Sequence, residues 1–551
     1  MCGIFFVSDP DHSRREIIEE SFNKGKGRGP DDSRLISLNG AYLTKDYFIG
    51  FHRLSINGLN KASGQPFVKN SVYLICNGEI YNYKEIYKLL NIIPETSSDC
   101  EIIIDLYLNG YDIKNIVNIL DGVFAFVLYD LNKDLVFAAR DPFGIRPLFY
   151  CYNRYSTRIM FASEMKQLIN ISKINNTNVE YFPPGHFIKF NKNMINYRDQ
   201  NIITKYYTIP YSNLIYNKYS NFNTSLDLYQ NIIKNTLIQS VNKRLLSDRP
   251  IACLLSGGLD SSLICSIVSK LLPENKKLHT FAIGMEGSTD LVYAQKVADY
   301  LGTIHTPVIL TQDEFFNAIP EVIQTIESYD TTTVRASVGN YLISKYISNN
   351  TDFKVIFNGD GSDELTGGYL YFHNSPNILD SDKEVRHLLE NIHFFDVLRS
   401  DRSISSCGLE PRTPFLDKTF VNMYLSIPIE YRFPKKKIEK HLLRSSFLGY
   451  LPDEILFRKK EAFSDGVSAE NNSWYNIIQN RLKSYHPKNV YLRTDNTYSK
   501  LTIEQKYYRD IFISEFGNIQ NVIPYFWMPK FTNATDASAR TLNVYKNKKK
   551  K

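Results

Sequence analysis

The sequence has no C-x-x-C pair, no long hydrophobic run and no charged start followed by an apolar stretch. Each absence removes a class of protein. Seven cysteines, Cys2, Cys76, Cys100, Cys151, Cys253, Cys265 and Cys407, are scattered and odd in number. That spacing supports neither a disulfide framework nor a zinc site and fits a reducing compartment. The longest apolar runs, such as residues 123–129, have strand length rather than the ~20 residues a membrane-spanning helix needs. A soluble, cytoplasmic protein with no membrane partner is therefore expected. Charge of one sign is not in large excess either: the formal net charge is +7, much of it in Lys546, Lys548, Lys549, Lys550 and Lys551. A basic end of this kind reads as a solvated terminus, and no nucleic-acid partner is expected from it.

What is present is enough length and apolar content for more than one domain. At 551 residues, 43% of them hydrophobic, the chain exceeds a single unit of ~100 to 200 residues. From residue 4 to about residue 206, short apolar runs are broken by turn residues, which predicts buried strands in stacked sheets. Residues 210–223 are polar, aromatic and unpatterned. Beyond them the runs 251–255, 279–283 and 354–357 read as strands, and 228–246 and 290–301 as helices. That alternation predicts a mostly parallel sheet with ligands at the carboxyl ends of its strands. The expected division is a first domain over 1–208, a linker over 209–224, a second domain over 225–540 and a basic tail over 541–551.

Cys2 follows the initiator Met1, and removal of Met1 would make it the N-terminus. One residue would then carry both a thiol and an α-amine that titrates near pH ~7.7 to 8.0, so nucleophile and base would arrive together.

The second chemical signal is Ser256-Gly257-Gly258-Leu259-Asp260-Ser261-Ser262, set between an apolar strand and an apolar helix. Glycines there let backbone N–H groups approach an anion, the helix N-terminus adds a favourable dipole and three serines add hydroxyl donors. The string lacks the Gly-Lys-Ser/Thr of a Walker loop and carries an acid, Asp260. A carboxylate beside bound phosphates calls for a cation between them, magnesium being the usual one. A second acidic turn, Asp360-Gly361-Ser362-Asp363-Glu364, follows the third strand and could supply the opposing ligand. The serine and glycine string resembles the pyrophosphate loop of the ATP pyrophosphatases, which form adenylates and release pyrophosphate.

Further strings extend the resemblance over nearly the whole chain. Arg28-Gly29-Pro30-Asp31, His52-Arg53-Leu54-Ser55-Ile56, Asn77-Gly78-Glu79-Ile80-Tyr81-Asn82, Ser98-Asp99-Cys100-Glu101 and Arg140-Asp141-Pro142-Phe143-Gly144 resemble class II glutamine amidotransferases. Residues 331–337, 359–369, Gly408-Leu409-Glu410, Pro414-Phe415-Leu416-Asp417, 460–466 and 534–542 complete the likeness to the glutamine-hydrolysing asparagine synthetases.

The resemblance implies an N-terminal α+β sandwich of stacked antiparallel sheets, of the N-terminal nucleophile type, and a C-terminal α/β ATP pyrophosphatase domain with a parallel sheet. It implies that aspartate is converted to a β-aspartyl-AMP anhydride, from which ammonia drawn from glutamine displaces AMP. Cys2 is then the nucleophile, and Asn77 and Gly78 form the oxyanion hole. Arg53 meets the glutamine α-carboxylate, and Asp99 and Glu79 its α-ammonium. Ser256, Gly257, Gly258, Asp260, Ser261 and Ser262 take the pyrophosphate end of ATP; Leu255, Ile283 and Gly359 lie near the adenosine, with Asp360 beside them. Asp260 and Asp363 hold magnesium, and Lys460 neutralises charge on the departing phosphate. Arg335, Asp360 and Glu364 are candidates for aspartate and phosphate contacts. The expected partners are L-glutamine, L-aspartate and ATP, with a second copy of the chain as a candidate for a homodimer.

Three departures stand out. Phe6 occupies a position where a small residue is expected, Gly359-Asp360-Gly361 replaces the commoner Gly-Glu-Gly, and Ser400-Asp401-Arg402 replaces a frequent Ala-Asp-Arg. The shorter carboxylate puts the role of Asp360 in question. Three other readings compete: a ring-closing β-lactam synthetase, a tRNA-modifying adenylating enzyme, and a non-catalytic regulatory protein. The first typically loses Cys2, Arg53, Asn77 and Asp99, and the second usually carries an RNA-binding module or a persulfide cysteine. The third is hard to reconcile with a complete set of site residues.

Overall fold

In the computed structural model the described residues are 1–9, 15–39, 46–153, 158–191, 202–210, 225–433, 438–469, 471–487, 496–519, 521–538 and 540. Most of the expected linker, and all of the basic tail over 541–551, lie outside them. The chain divides into two units: unit 1 contains residues 1–208, 246–249 and 405–410, and unit 2 contains 209–245, 250–404 and 411–551. The two short segments of unit 1 come from the half of the sequence expected to form the second domain. Their side chains explain it: Arg249 Nε donates to Ser55 O at 2.9 Å and Glu410 lies 3.8 Å from Arg146.

Unit 1 has two six-stranded sheets. Its strands are β1 (Gly3–Asp9), β2 (Asp32–Asn39), β3 (Asp46–Arg53), β4 (Phe67–Lys69), β5 (Val72–Ile80), β6 (Gly122–Asp130), β7 (Leu135–Arg140), β8 (Phe149–Asn153), β9 (Arg158–Ala162), β10 (Glu180–Tyr181), β11 (His186–Asn191) and β12 (Ile203–Lys205). The orders are β10-β8-β9-β1-β3-β2 and β12-β11-β7-β6-β5-β4. Every pairing recorded within these sheets is antiparallel.

The unbroken apolar run of β6 follows from its place in the sandwich. Ala125 and Val127 face a core shared with Ile4 and Phe6 of β1, Phe51 of β3 and Ile75 of β5. Phe124, Phe126 and Leu128 point the other way, against the helices Ile102–Leu108 and Ile113–Ile119. Alternation of period two thus carries apolar residues on both faces, because both are covered. Phe6 fits this core and stacks obliquely near Tyr47, Tyr129 and Phe161.

Unit 2 is built on a five-stranded sheet, β15-β14-β13-β16-β17, from β13 (Ile251–Leu254), β14 (His279–Gly284), β15 (Ile304–Ile309), β16 (Val355–Phe357) and β17 (Glu410–Arg412). β13 pairs with β14 and β16 in parallel, as does β14 with β15. The helix Leu259–Leu271 leaves the carboxyl end of β13, and Ser362–Thr366 leaves that of β16. Two neighbouring strands therefore present their loops at one edge.

A buried ion cluster braces this unit. Asp417 accepts from Arg244 Nη1 at 2.7 Å and Lys243 Nζ at 2.5 Å, and caps the helix Lys418–Ser426 through Thr419 N and Phe420 N. Burial alone would raise the Asp417 carboxyl, but the two cations hold it down at about 2. With its folded-state pKa below the unfolded one, its contribution is complete above pH ~4 and disappears as pH falls towards about 2. Asp417→Asn is expected to destabilise unit 2 by about 3 to 5 kcal/mol near neutrality and to remove part of the acid dependence below pH ~4; urea denaturation across pH measures both.

Candidate active sites

The first site forms where β1, β3 and β5 end. Cys2 immediately precedes β1, whose Gly3 pairs with His52 at the end of β3. Cys2 N donates to Asn77 Oδ1 at 3.2 Å, its thiol contacts Leu54 O at 3.6 Å, and its carbonyl accepts from Arg28 Nε at 3.0 Å. Burial pushes the Cys2 thiol up to about 11, against the lowering effect of the positive N-terminus. Met1 is buried, and desolvation lowers its α-amine to about 6. With Met1 attached, the Cys2 nitrogen is an amide that can take no proton, so the thiol has no base on its own residue.

Asn77, Gly78 and Glu79 lie on β5 opposite Ala125, Phe124 and Val123 of β6. Asn77 is fully buried, and while its Oδ1 is engaged by Cys2, its Nδ2 has no hydrogen-bond partner. A buried donor without an acceptor costs free energy unless a ligand oxygen meets it. Gly78 is required by its surroundings: a Cβ there would stand 2.5 Å from Val123 O.

Arg53, at the end of β3, is buried and donates to Asn60 O at 2.9 Å and to Gly58 O. Glu79 accepts from Asn57 Nδ2 at 2.5 Å. Asp99 is buried and accepts from Ile80 N at 2.7 Å; burial lifts its carboxyl to about 6 against that bond. Of the expected residues, Cys2 and Asn77 are joined by a direct hydrogen bond, Arg53 ends β3, Glu79 lies on β5, and Asp99 bonds Ile80, the last residue of β5.

The second site lies at the carboxyl edge of the unit 2 sheet. Gly257 has φ +69°, and a Cβ there would meet Ala294 N at 2.4 Å, so the turn after β13 needs glycine. Ser256 and Ser261 join their hydroxyls at 2.9 Å, and the buried Ser262 hydroxyl has no partner. Gly359 brings the end of the β16 loop against this turn, where a Cβ would lie 2.7 Å from Ser261 N. Leu255, Phe281 and Ile283 form an apolar wall of the cavity.

Four charges occupy its centre. Lys440 Nζ reaches Asp260 Oδ2 and Asp363 Oδ1, each at 2.6 Å, while Lys460 Nζ lies 2.5 Å from Asp363 Oδ2 and 3.8 Å from Asp260. Burial works to raise the Asp363 carboxyl, but the two ammoniums hold it well below the usual carboxylate range. Burial works to lower Lys460, but Asp363 and Asp260 keep it charged. Both carboxylates converge on one cation-sized position, now filled by the Lys440 ammonium. Two carboxylates with phosphate oxygens are a donor set that suits magnesium. Among the described residues no cluster of three or more His, Cys, Asp or Glu side chains offers an all-protein metal cage.

Farther along the cavity, Arg399 Nη2 donates to Asp360 Oδ1 at 2.7 Å and Asp396 Oδ1 at 3.0 Å, and the Tyr369 hydroxyl donates to Glu364. Burial, with Asp396 close by, pushes the Glu364 carboxyl well up. Asp360 Oδ2 is buried with no hydrogen-bond partner, so the shorter carboxylate does reach the cavity.

Arg335 is paired with two carboxylates. Its Nε and Nη2 donate to Glu504 at 2.8 and 2.7 Å, and Nη1 and Nη2 to Asp536 at 2.9 and 2.8 Å. Arg335 is not among the residues lining the cavity, while Thr332, Thr333 and Ala336 of the same helix are. Lys440, Arg399, Tyr369 and Asp396 were not expected from the sequence. Tyr369 lies inside a quoted motif, whereas Lys440 ends a polar stretch that reads as surface.

Asparagine synthase matches residues 233–388 and 380–501, and a glutamine amidotransferase domain matches residues 1–181. Asparagine synthetases (glutamine-hydrolysing) from Gallus gallus and Homo sapiens are each 42% identical to the chain, with 99% of both sequences covered in each comparison.

Lys440→Met is expected to lower the melting temperature, because the Asp260 and Asp363 carboxylates then face each other without the ammonium between them. ATP-dependent pyrophosphate release should fall about 100-fold or more while glutamine hydrolysis is retained. Thermal denaturation, with separate assays of pyrophosphate and glutamate, measures these effects.

Proposed function

Since the chain belongs to the glutamine-hydrolysing asparagine synthetases, making L-asparagine from L-aspartate with glutamine as nitrogen donor, we propose that Cys2 opens the reaction and the Asp260–Asp363 cavity completes it. The observation that carries this reading is the buried, unsatisfied Nδ2 of Asn77 beside Cys2. It is a donor waiting for an oxyanion.

With Met1 removed, the Cys2 α-amine takes the thiol proton and the sulfur attacks the glutamine side-chain carbonyl. Charge develops on that oxygen, where Asn77 Nδ2 and Gly78 N–H stabilise it, a contribution of several kcal/mol per donor in sites of this kind, about 3. Collapse of the tetrahedral species expels ammonia and leaves a thioester, which water hydrolyses to glutamate. Arg53 holds the substrate α-carboxylate, and Asp99 and Glu79 its α-ammonium. Asp99, though raised to about 6, is largely ionised at neutral pH and can play that part.

In the second site the aspartate β-carboxylate attacks the α-phosphorus of ATP, the bond to the β-phosphate breaks, and pyrophosphate leaves. Backbone N–H groups after β13 and the unsatisfied Ser262 hydroxyl support the phosphates, and Leu255 and Ile283 flank the adenosine. Magnesium, held by Asp260 and Asp363, would supply charge neutralisation to the phosphate oxygens. Lys460 and Lys440 bring two further positive charges to the departing pyrophosphate. Ammonia then attacks the β-aspartyl-AMP carbonyl, giving asparagine and AMP. Asp360 and Glu364, with Arg399, stand at the aspartate end of the cavity.

The relatives named above are all glutamine-hydrolysing synthetases, which lends the ring-closing and RNA-modifying alternatives no support. Among the described residues no helix is long and apolar enough to cross a membrane. Free cysteines throughout support a reducing, cytoplasmic setting.

Cys2→Ala is expected to abolish glutamine-dependent synthesis and leave ammonium-dependent synthesis intact. Asparagine formation with each nitrogen donor is the measurement, and loss of both activities would contradict the assignment of Cys2. N-terminal mass analysis of the purified chain should find Cys2, not Met1, at the terminus of the glutamine-active form.

A further inference from the structure

Segment 246–249 belongs to unit 1 although the chain on both sides of it belongs to unit 2. It follows the helix Leu226–Lys243 and runs directly into β13, with Ser256 eight residues after Asp248. Within unit 1 it grips the loop that follows Arg53 at three positions. Arg249 Nε donates to Ser55 O at 2.9 Å, Asp248 N donates to Ile56 O at 3.1 Å, and Gly58 N donates to Asp248 Oδ2 at 2.8 Å.

The third of these bonds leads to the substrate. Gly58 O accepts from Arg53 Nη2, so one residue is tied to Asp248 on its nitrogen side and to Arg53 on its carbonyl side. Gly58 has φ +65°, and a Cβ there would come within 2.4 Å of Ser63 Oγ, so the loop passes through a narrow space in a conformation that favours glycine. Its amide bonds a carboxylate, a charge-assisted contact stronger than a neutral one. If that anchor is removed, the Gly58 carbonyl is free to turn and Arg53 loses an acceptor that fixes its guanidinium.

We propose that Asp248 is a positioning residue for glutamine binding: it orients Gly58, which holds the Arg53 guanidinium in place to receive the glutamine α-carboxylate. The glutamine site is thereby shaped by the same stretch of chain that leads into the phosphate loop. This inference rests on the reading of Arg53 as the carboxylate-binding residue.

Steady-state kinetics of the full chain, with glutamine or ammonium as nitrogen donor, test it on Asp248→Ala, Asp248→Asn and Arg53→Ala. Asp248→Ala should raise KM for glutamine about tenfold, the worth of one hydrogen bond to a charged group, with kcat changed less than about twofold. Ammonium-dependent synthesis should match that of the unaltered chain. Asp248→Asn, which retains an oxygen acceptor for Gly58 N, should recover most of the lost affinity. An unchanged KM for glutamine in Asp248→Ala alongside a raised one in Arg53→Ala would overturn the inference, as would equal losses with both donors, which indicate support of the fold alone. An unchanged KM in Arg53→Ala would overturn the reading of Arg53 itself.

Discussion

The pairing of Asp260 and Asp363 with Lys440 and Lys460 is the interaction on which unit 2 depends. Its two carboxylates stand at the ends of different strands, β13 and β16, and both are largely withdrawn from water. Left to themselves they would repel each other, and each would carry a desolvation cost of several kcal/mol. Lys440, only 1% exposed, lies between them and turns the repulsion into a clasp that holds the two loops together. The clasp also suits the chemistry proposed for it: its two ammonium groups stand in the cavity where an anionic leaving group would need them. Arg444 and Glu439 extend it, since Glu439 bonds both Arg444 Nη2 and the Lys460 backbone nitrogen.

The site proposed for glutamine uses the opposite electrostatic strategy. Few charges touch Cys2, and burial keeps its thiol protonated, up to about 11 while Met1 is attached. What the site offers is a set of oriented polar groups with a donor left open, Asn77 Nδ2, and a backbone made close by Gly78. The reactivity proposed for it depends on a change in the chain itself, the conversion of the Cys2 amide into an amine.

The parts of this architecture that are contiguous in sequence were legible there. The stacked sheets show in the short apolar runs, and the unbroken run of β6 reflects burial on both of its faces. Ser256 to Ser262 carry their own context, a strand before and a helix after, so the turn between β13 and the helix Leu259–Leu271 is recognisable without a fold. Lys440 is not, because its function depends on carboxylates 180 and 77 residues away in sequence, and a lysine in a polar stretch resembles any surface lysine. The ion pairs of Arg335 are hidden for a related reason: it sits inside a string of the nucleotide half, and its partners Glu504 and Asp536 are about 170 and 200 residues downstream. The return of segments 246–249 and 405–410 to unit 1 leaves no periodic or compositional trace, since each is too short to carry a pattern and is placed by the unit it touches.

The central claim is that one chain draws nitrogen from glutamine and activates aspartate by adenylation. The most direct test is product analysis of the purified protein supplied with ATP, magnesium, aspartate and glutamine labelled with 15N in its side-chain amide. The account predicts asparagine carrying the label in its side-chain amide, together with glutamate, AMP and pyrophosphate. Formation of ADP and orthophosphate in place of AMP and pyrophosphate, or asparagine without the label, would contradict it.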